Sequence, residues 1–184
     1  MALNDFPESI CKNFEIHEWR HASAVLRTDF RNEWDDIVEV LSAIRLRKSH
    51  ITVGGKGKSK VSGSIDQAFT DKGWRERKFT TQIRVDETVM DSPTHKVDCF
   101  KNGIGVEIEW NNKTEFYDRD LNNFRLLFDL RAVNVGVIIT RCDELQAIFD
   151  ELGRGDSYGS STTILSKLVR KIEGGSGGGC PIFL

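Results

Sequence analysis

Long apolar runs are missing from this chain. Without one of roughly 18 residues no helix can span a bilayer, so no membrane partner is expected. The opening MALNDFPESI has no basic stretch followed by an apolar one, which sets aside a secretory signal. Closely spaced cysteines are missing too. The four present, Cys11, Cys99, Cys142 and Cys180, form no CxxC pair. That argues against a disulfide framework or a zinc ribbon and for four reduced thiols in a cytoplasmic protein. No internal repeat is visible. Net charge is only −2, so composition alone does not announce a nucleic-acid binder. What remains is a chain of 184 residues, 39% hydrophobic and 29% charged. It reads as one domain, 1–184, large enough to bury a core.

The charge is unevenly spread. Residues 45–78 hold ten Lys/Arg against three acids, a local excess of seven. A solvated basic surface and a phosphate-contacting face both fit that run. Helical spacing of Phe30, Trp34, Ile37, Val38, Leu41 and Ile44 predicts a helix over 31–47. A Gly/Ser/Lys loop (54–64) and a short helix ending near Gly73 follow. Strands are expected at 78–85, 95–100 and 104–110, with 86–94 as a connection. Asp120 reads as the cap of a helix through Ala132, with Leu121, Phe124, Leu127 and Phe128 on its apolar face. VGVIIT (135–140) reads as a buried strand. Helices at 143–153 and 161–172, the latter capped by Ser161 or Thr162, precede a glycine-rich link and a final strand in CPIFL. This order gives a mixed α/β layer architecture, with a helical crossover from 104–110 to 135–140.

The strands 95–100 and 104–110 meet at Asn102-Gly103, the strongest short hairpin signal. A two-residue turn there pairs Lys101 with Ile104, Phe100 with Gly105, Cys99 with Val106, Asp98 with Glu107 and Lys96 with Glu109. Asp98, Glu107 and Glu109 then share one face, while Val106, Ile108 and Trp110 point to the core. Opposed carboxylates repel. Either water solvates them or a divalent cation sits among them, and a cluster of hard oxygens is what Mg²⁺ binds.

The spacing D-(x)8-E-x-[E/Q/K] on such a hairpin resembles the PD-(D/E)XK nucleases. PTHKVD (93–98), VEIEWNNK (106–113), FYDRDLNNFRLLF (116–128) and the glycine-rich C-terminal part look like BglII-type type II restriction endonucleases (BglII/BstYI/BamHI-like). The resemblance covers roughly residues 30–184, which leaves 1–30 as an N-terminal helical extension. It implies a restriction-endonuclease-like core, a central mixed β-sheet flanked by helices. It also implies Mg²⁺-dependent cleavage of double-stranded DNA at a GATC-centred palindrome by a homodimer, with a cognate DNA methyltransferase in the same system. On that pattern Asp98, Glu107 and the backbone carbonyl of Ile108 hold the metal. Most of the superfamily has Lys where this chain has Glu109; here the acid either orients and deprotonates the attacking water or contacts the metal. Lys96 and Lys113 are candidates to offset phosphate charge. Glu39 is either an accessory acid or part of a solvated helix face.

Asn112 matches the Asn three places beyond the third acid in that family and is the leading base reader. Asn111, Lys113, Arg119, Arg154, Ser157 and Tyr158 are further DNA-contact candidates, as are Lys56 and Lys58 in the glycine-rich loop. A non-catalytic DNA-binding protein on the same fold is the rival reading. HEWRH (17–21) matches the zinc-protease pattern H-E-x-x-H, which requires both imidazoles on one helix face.

Overall fold

The computed structural model describes residues 6–52 and 59–184. Its elements are helix α1 (Glu8–Asn13), strand β1 (Glu18–Trp19), and helices α2 (Ala22–Asp29), α3 (Arg31–Ala43), α4 (Lys48–Thr52) and α5 (Lys60–Asp71). Strands β2 (Arg75–Arg77), β3 (Thr80–Val85), β4 (Thr88–Pro93), β5 (Val97–Lys101) and β6 (Ile104–Glu109) follow. Then come helix α6 (Phe116–Asp129), strand β7 (Val135–Thr140), helix α7 (Leu145–Glu151), a 3-10 turn (Gly155–Tyr158), helix α8 (Leu165–Glu173) and strand β8 (Ile182–Phe183).

Six strands form one mixed sheet in the order β1-β8-β7-β6-β5-β2. β6, β7 and β8 run parallel; the outer pairings are antiparallel. A parallel neighbour cannot be reached by a tight turn, and α6 supplies the crossover between β6 and β7. One face of the sheet packs Ile104, Val106 and Ile108 with Trp34, Ile37, Val61 and Phe69. The opposite face packs Ile138 and Ile182 with Leu121, Phe124, Leu168 and Ile172 from α6 and α8. This is the mixed α/β core expected.

Two glycines let α6 lie close to the sheet. A Cβ on Gly105 would meet the Phe124 ring at 2.7 Å, and one on Gly136 would meet it at 2.6 Å. Both contacts are shorter than real carbon atoms tolerate, so the ring sits where only hydrogen fits.

The hairpin forms as read. Asn102 and Gly103 both take positive φ, 46° and 86°, as a type I′ turn requires. Cys99–Val106, Phe100–Gly105 and Lys101–Ile104 pair. Beyond Cys99 the expected ladder stops. Arg75 faces Phe100 while Arg77 faces Val97, and the register shifts between them. Three residues of β2 (75–77) thus face four of β5 (97–100), and a β-bulge lies around Asp98. Lys96 is not opposite Glu109; its ammonium lies 2.6 Å from Glu76.

Other elements differ from expectation for physical reasons. Residues 86–94 are not a connection. Asp86 turns the chain with φ 49°, and β4 pairs with β3 as a separate two-stranded ribbon. α3 stops at Ala43. α6 starts at Phe116, so Asp120 lies inside it and caps nothing. α8 is not capped by Ser161 or Thr162; the Asp143 carboxylate instead accepts the Ser166 backbone N–H at 3.0 Å. HEWRH forms no helix. Glu18 and Trp19 are in β1, and Arg20 and His21 both have positive φ, so the zinc-protease geometry does not exist. Among the described residues no helix is long and apolar enough to cross a membrane.

Candidate active site

The bulge re-aims Asp98. Its Oδ2 accepts the Ile108 backbone N–H at 3.1 Å, and its own N–H reaches Glu107 Oε2 at 3.4 Å. Side chain therefore replaces ladder, a common use of a bulge beside a functional site. Glu107 and Glu109 follow on β6, each only 1% exposed. That depth removes the solvated-face reading for these two. The Ile108 carbonyl accepts the Trp110 N–H at 3.2 Å.

A fourth carboxylate joins them. Asp120 is fully buried on α6, in the stripe Tyr117, Asp120, Leu121, Phe124 and Leu127. Arg119 stands between the acids, with Nη2 3.2 Å from Glu109 Oε1 and 2.8 Å from Asp120 Oδ1. Its guanidinium stacks over Phe116 at 4.1 Å. Asn112 donates from Nδ2 to Glu109 Oε2 at 2.7 Å. Both Glu109 oxygens thus have side-chain donors. Glu107 Oε1 and Asp120 Oδ2 are buried with no hydrogen-bond partner.

The electrostatics follow from this crowding. Burial first, then the charges of Asp120 and Asp98, raises the Glu107 carboxyl well above its ordinary 4.5. Burial, followed by the Glu109 carboxylate beside it, pushes Asp120 from 3.8 up to about 8. An acid that holds its proton more tightly when folded supports the fold only while protonated. Its contribution is complete below the unfolded value and is lost as pH climbs toward the folded one. The cation-free protein is therefore expected to melt at progressively lower temperature between pH 5 and pH 8. Asp120→Asn should show a shallower slope in the same buffers with EDTA; parallel curves for the two proteins would contradict this account.

A groove of about 400 Å³ opens beside the acids, lined by Asp98 and Glu109 but not by Glu107 or Asp120. Asp98, Ile108, Glu109, Asn111 and Asn112 form its floor; His50 from α4 and Ser59, Lys60 and Ser62 at the start of α5 face it. Arg119, Arg154 and Tyr158 also line it. Asn111 Oδ1 and Arg154 Nε are buried there without partners. Tyr158 is packed on Phe149 with ring centroids 4.1 Å apart. Ser157 and Lys113 are exposed, and neither lines the groove. Lys113 bridges Thr162 through the backbone. Glu39 is 73% exposed and paired with Lys72 at 2.6 Å, so it is not brought to the acids. Lys56 and Lys58 lie outside the described residues.

Sequence reading missed three supporting residues of this floor besides Asp120. Arg141 is buried and donates to the Thr163 and Tyr158 carbonyls at 2.9 and 2.7 Å. It ties the end of β7 to the segment that carries the groove's far wall. Thr140 and Thr163 donate to the Glu109 carbonyl at 2.9 and 3.2 Å, anchoring the end of β6.

The donor set suits a hard divalent cation. Carboxylate oxygens are what Mg²⁺ prefers, and two of them lack any other partner. Among the described residues, though, no group of three or more His, Cys, Asp or Glu side chains is placed to hold a metal ion. The acids are neighbours around Arg119 rather than a formed coordination shell.

The profile of the family described as restriction endonuclease BglII/BglIII matches residues 14–184. The match reaches further toward the N-terminus than the resemblance read from motifs. No curated protein matches the chain.

Proposed function

Because the chain belongs to the restriction endonuclease BglII/BglIII family, it is a type II site-specific deoxyribonuclease that binds double-stranded DNA, and we propose that it cuts a GATC-centred palindrome in a Mg²⁺-dependent reaction. On this reading the chain is one PD-(D/E)XK domain, 1–184, acting in the cytoplasm as a homodimer whose twofold axis matches that of its site. A cognate DNA methyltransferase would protect the host's own copies of the site.

The observation that carries the reading is the half-buried Asp98, tied by hydrogen bonds to Glu107 and to the Ile108 N–H, beside the buried Glu107 and Glu109 and next to a groove that Lys60 and Arg154 help line. Asp98 and Glu107 would hold Mg²⁺, together with the Ile108 carbonyl. Bound there, the cation would lower the pKa of a water and neutralise charge at the scissile phosphate. Glu109 would orient the attacking water and accept its proton; Asn112 and Arg119, which donate to its two oxygens, fix the direction its carboxylate presents. Lys60, at the N-terminus of α5, suits a DNA phosphate, where orphan amides and the helix dipole favour negative charge. Asn111, Asn112 and Arg154 face the groove and suit base edges, Asn pairing with adenine and Arg with guanine.

Digestion of supercoiled plasmid tests the proposal. Discrete fragments are expected with Mg²⁺ and intact plasmid with EDTA. Sequencing the fragment ends should return one palindrome around GATC. Cutting that persists in EDTA would remove the metal from the mechanism, and ends at scattered sequences would remove the palindrome.

A further inference from the structure

We propose that Asp120, rather than Glu109, completes the carboxylate set for the divalent cation, and that Arg119 is the counter-ion that holds its place in the cation-free protein. The inference rests on the metal-dependent reading above and deepens it.

Three observations carry it. Glu109 has no oxygen without a donor: Arg119 faces Oε1 at 3.2 Å and the Asn112 amide reaches Oε2 at 2.7 Å. Asp120 does have one. Its Oδ1 takes Arg119 at 2.8 Å while Oδ2 is buried without a partner, and Glu107 Oε1 is orphaned in the same way. Both residues are at most 1% exposed. An orphan carboxylate oxygen deep in protein costs the desolvation of a charged group with no return. Two such oxygens, Glu107 Oε1 on β6 and Asp120 Oδ2 on α6, are what a hard cation bound between them would satisfy.

The placement of Asp120 makes the same point. It occupies the apolar stripe of α6, one turn from Phe124 and about one turn from Tyr117. A helix that buries an acid there without neutralising it fully has traded packing for a ligand.

Arg119 is positioned to compete with the cation. Its head bridges Glu109 and Asp120, its plane rests on Phe116, and its side chain is 30% exposed toward the groove. The proposal requires that it give up these contacts when the cation binds, leaving the Asp120 carboxylate to the cation.

Mn²⁺ binding, followed by electron paramagnetic resonance of the free ion in the presence of uncleavable duplex DNA, reads the site without any turnover. Asp120→Asn is expected to weaken Mn²⁺ by at least about tenfold, the scale on which losing a group beside a metal is felt. Glu109→Gln should leave binding within about threefold on the same scale. Arg119→Met, which deletes the competing charge and keeps the stem's bulk, should tighten it. Asp98→Asn serves as the control for the site as a whole. If Asp98→Asn weakens Mn²⁺ but Asp120→Asn does not, the assignment of Asp120 fails while the metal-dependent reading stands. If the unmodified protein binds no Mn²⁺, both fail. Should Asp120→Asn not fold, Arg119→Met decides: unchanged or weaker binding would overturn the counter-ion role.

Discussion

Asp98→Asn is expected to leave a folded protein that grips its DNA and does not cut it. Asparagine has the same shape, and its side-chain oxygen can still accept the Ile108 N–H that Asp98 Oδ2 accepts at 3.1 Å. The bulge and the start of β6 therefore keep their support. What disappears is one negative charge from the set proposed to hold the cation. No turnover should be detectable on plasmid with Mg²⁺. A gel shift in Ca²⁺, which favours binding without cutting, should match the unmodified protein within about threefold, because the change touches no phosphate-positioning or base-reading group. Residual cutting at even a tenth of the normal rate would place the cation elsewhere.

Glu109→Lys should do greater damage than the superfamily pattern suggests. Lysine is common at this place in related nucleases, which would make the fold look tolerant. In this chain the residue is 1% exposed and faces Arg119 at 3.2 Å. An ammonium there meets a guanidinium instead of pairing with it, and Asn112 Nδ2 loses its acceptor. Breaking a buried pair in this way costs about 3–5 kcal/mol. The melting temperature should fall by several degrees or more, and cleavage should drop at least about a hundredfold, the scale of losing an acid–base group. Glu109→Gln keeps one oxygen for Arg119 or Asn112 and should lose less on both counts. A lysine variant that melts and cuts like the parent would make Glu109 a bystander.

The parts of the fold that were legible had local causes. Asn102-Gly103 demands positive φ at both places, and that alone fixed the hairpin and its first three pairs. VGVIIT was too apolar to lie anywhere but mid-sheet. Asp86 also turns a two-residue hairpin, but with neither Asn nor Gly the signal was too weak, and β4 passed for a connection. The HEWRH pattern failed because a spacing motif says nothing about the left-handed backbone at Arg20 and His21.

The site divides along the same line. Asp98, Glu107 and Glu109 stood out because three acids interrupt apolar strands. Asp120 did not, because an Asp just ahead of an apolar run looks like a helix cap. Its membership in the stripe of Tyr117 and Phe124 was a readable signal, had the helix been started one turn earlier. The bulge at Asp98 needs β2 as a partner, and a three-residue strand of Arg, Glu and Arg has no apolar alternation to reveal it. Arg119 and Asn112 were named as DNA contacts; their carboxylate partners lie on other elements and could not be seen from spacing.

The bare backbone at Gly105 and Gly136 has a consequence for the acids it never touches. Phe124 rests on those two positions with less than 3 Å to any added carbon, and it stands one helical turn from Asp120. The ring acts as a spacer whose thickness sets how near α6 hangs over β6. Asp120 and Arg119 ride on the helix; Glu107 and Glu109 ride on the strand. A single methyl group on either glycine would jack the two elements apart and stretch every contact between them, disarming the enzyme while leaving each of its charged residues in the sequence.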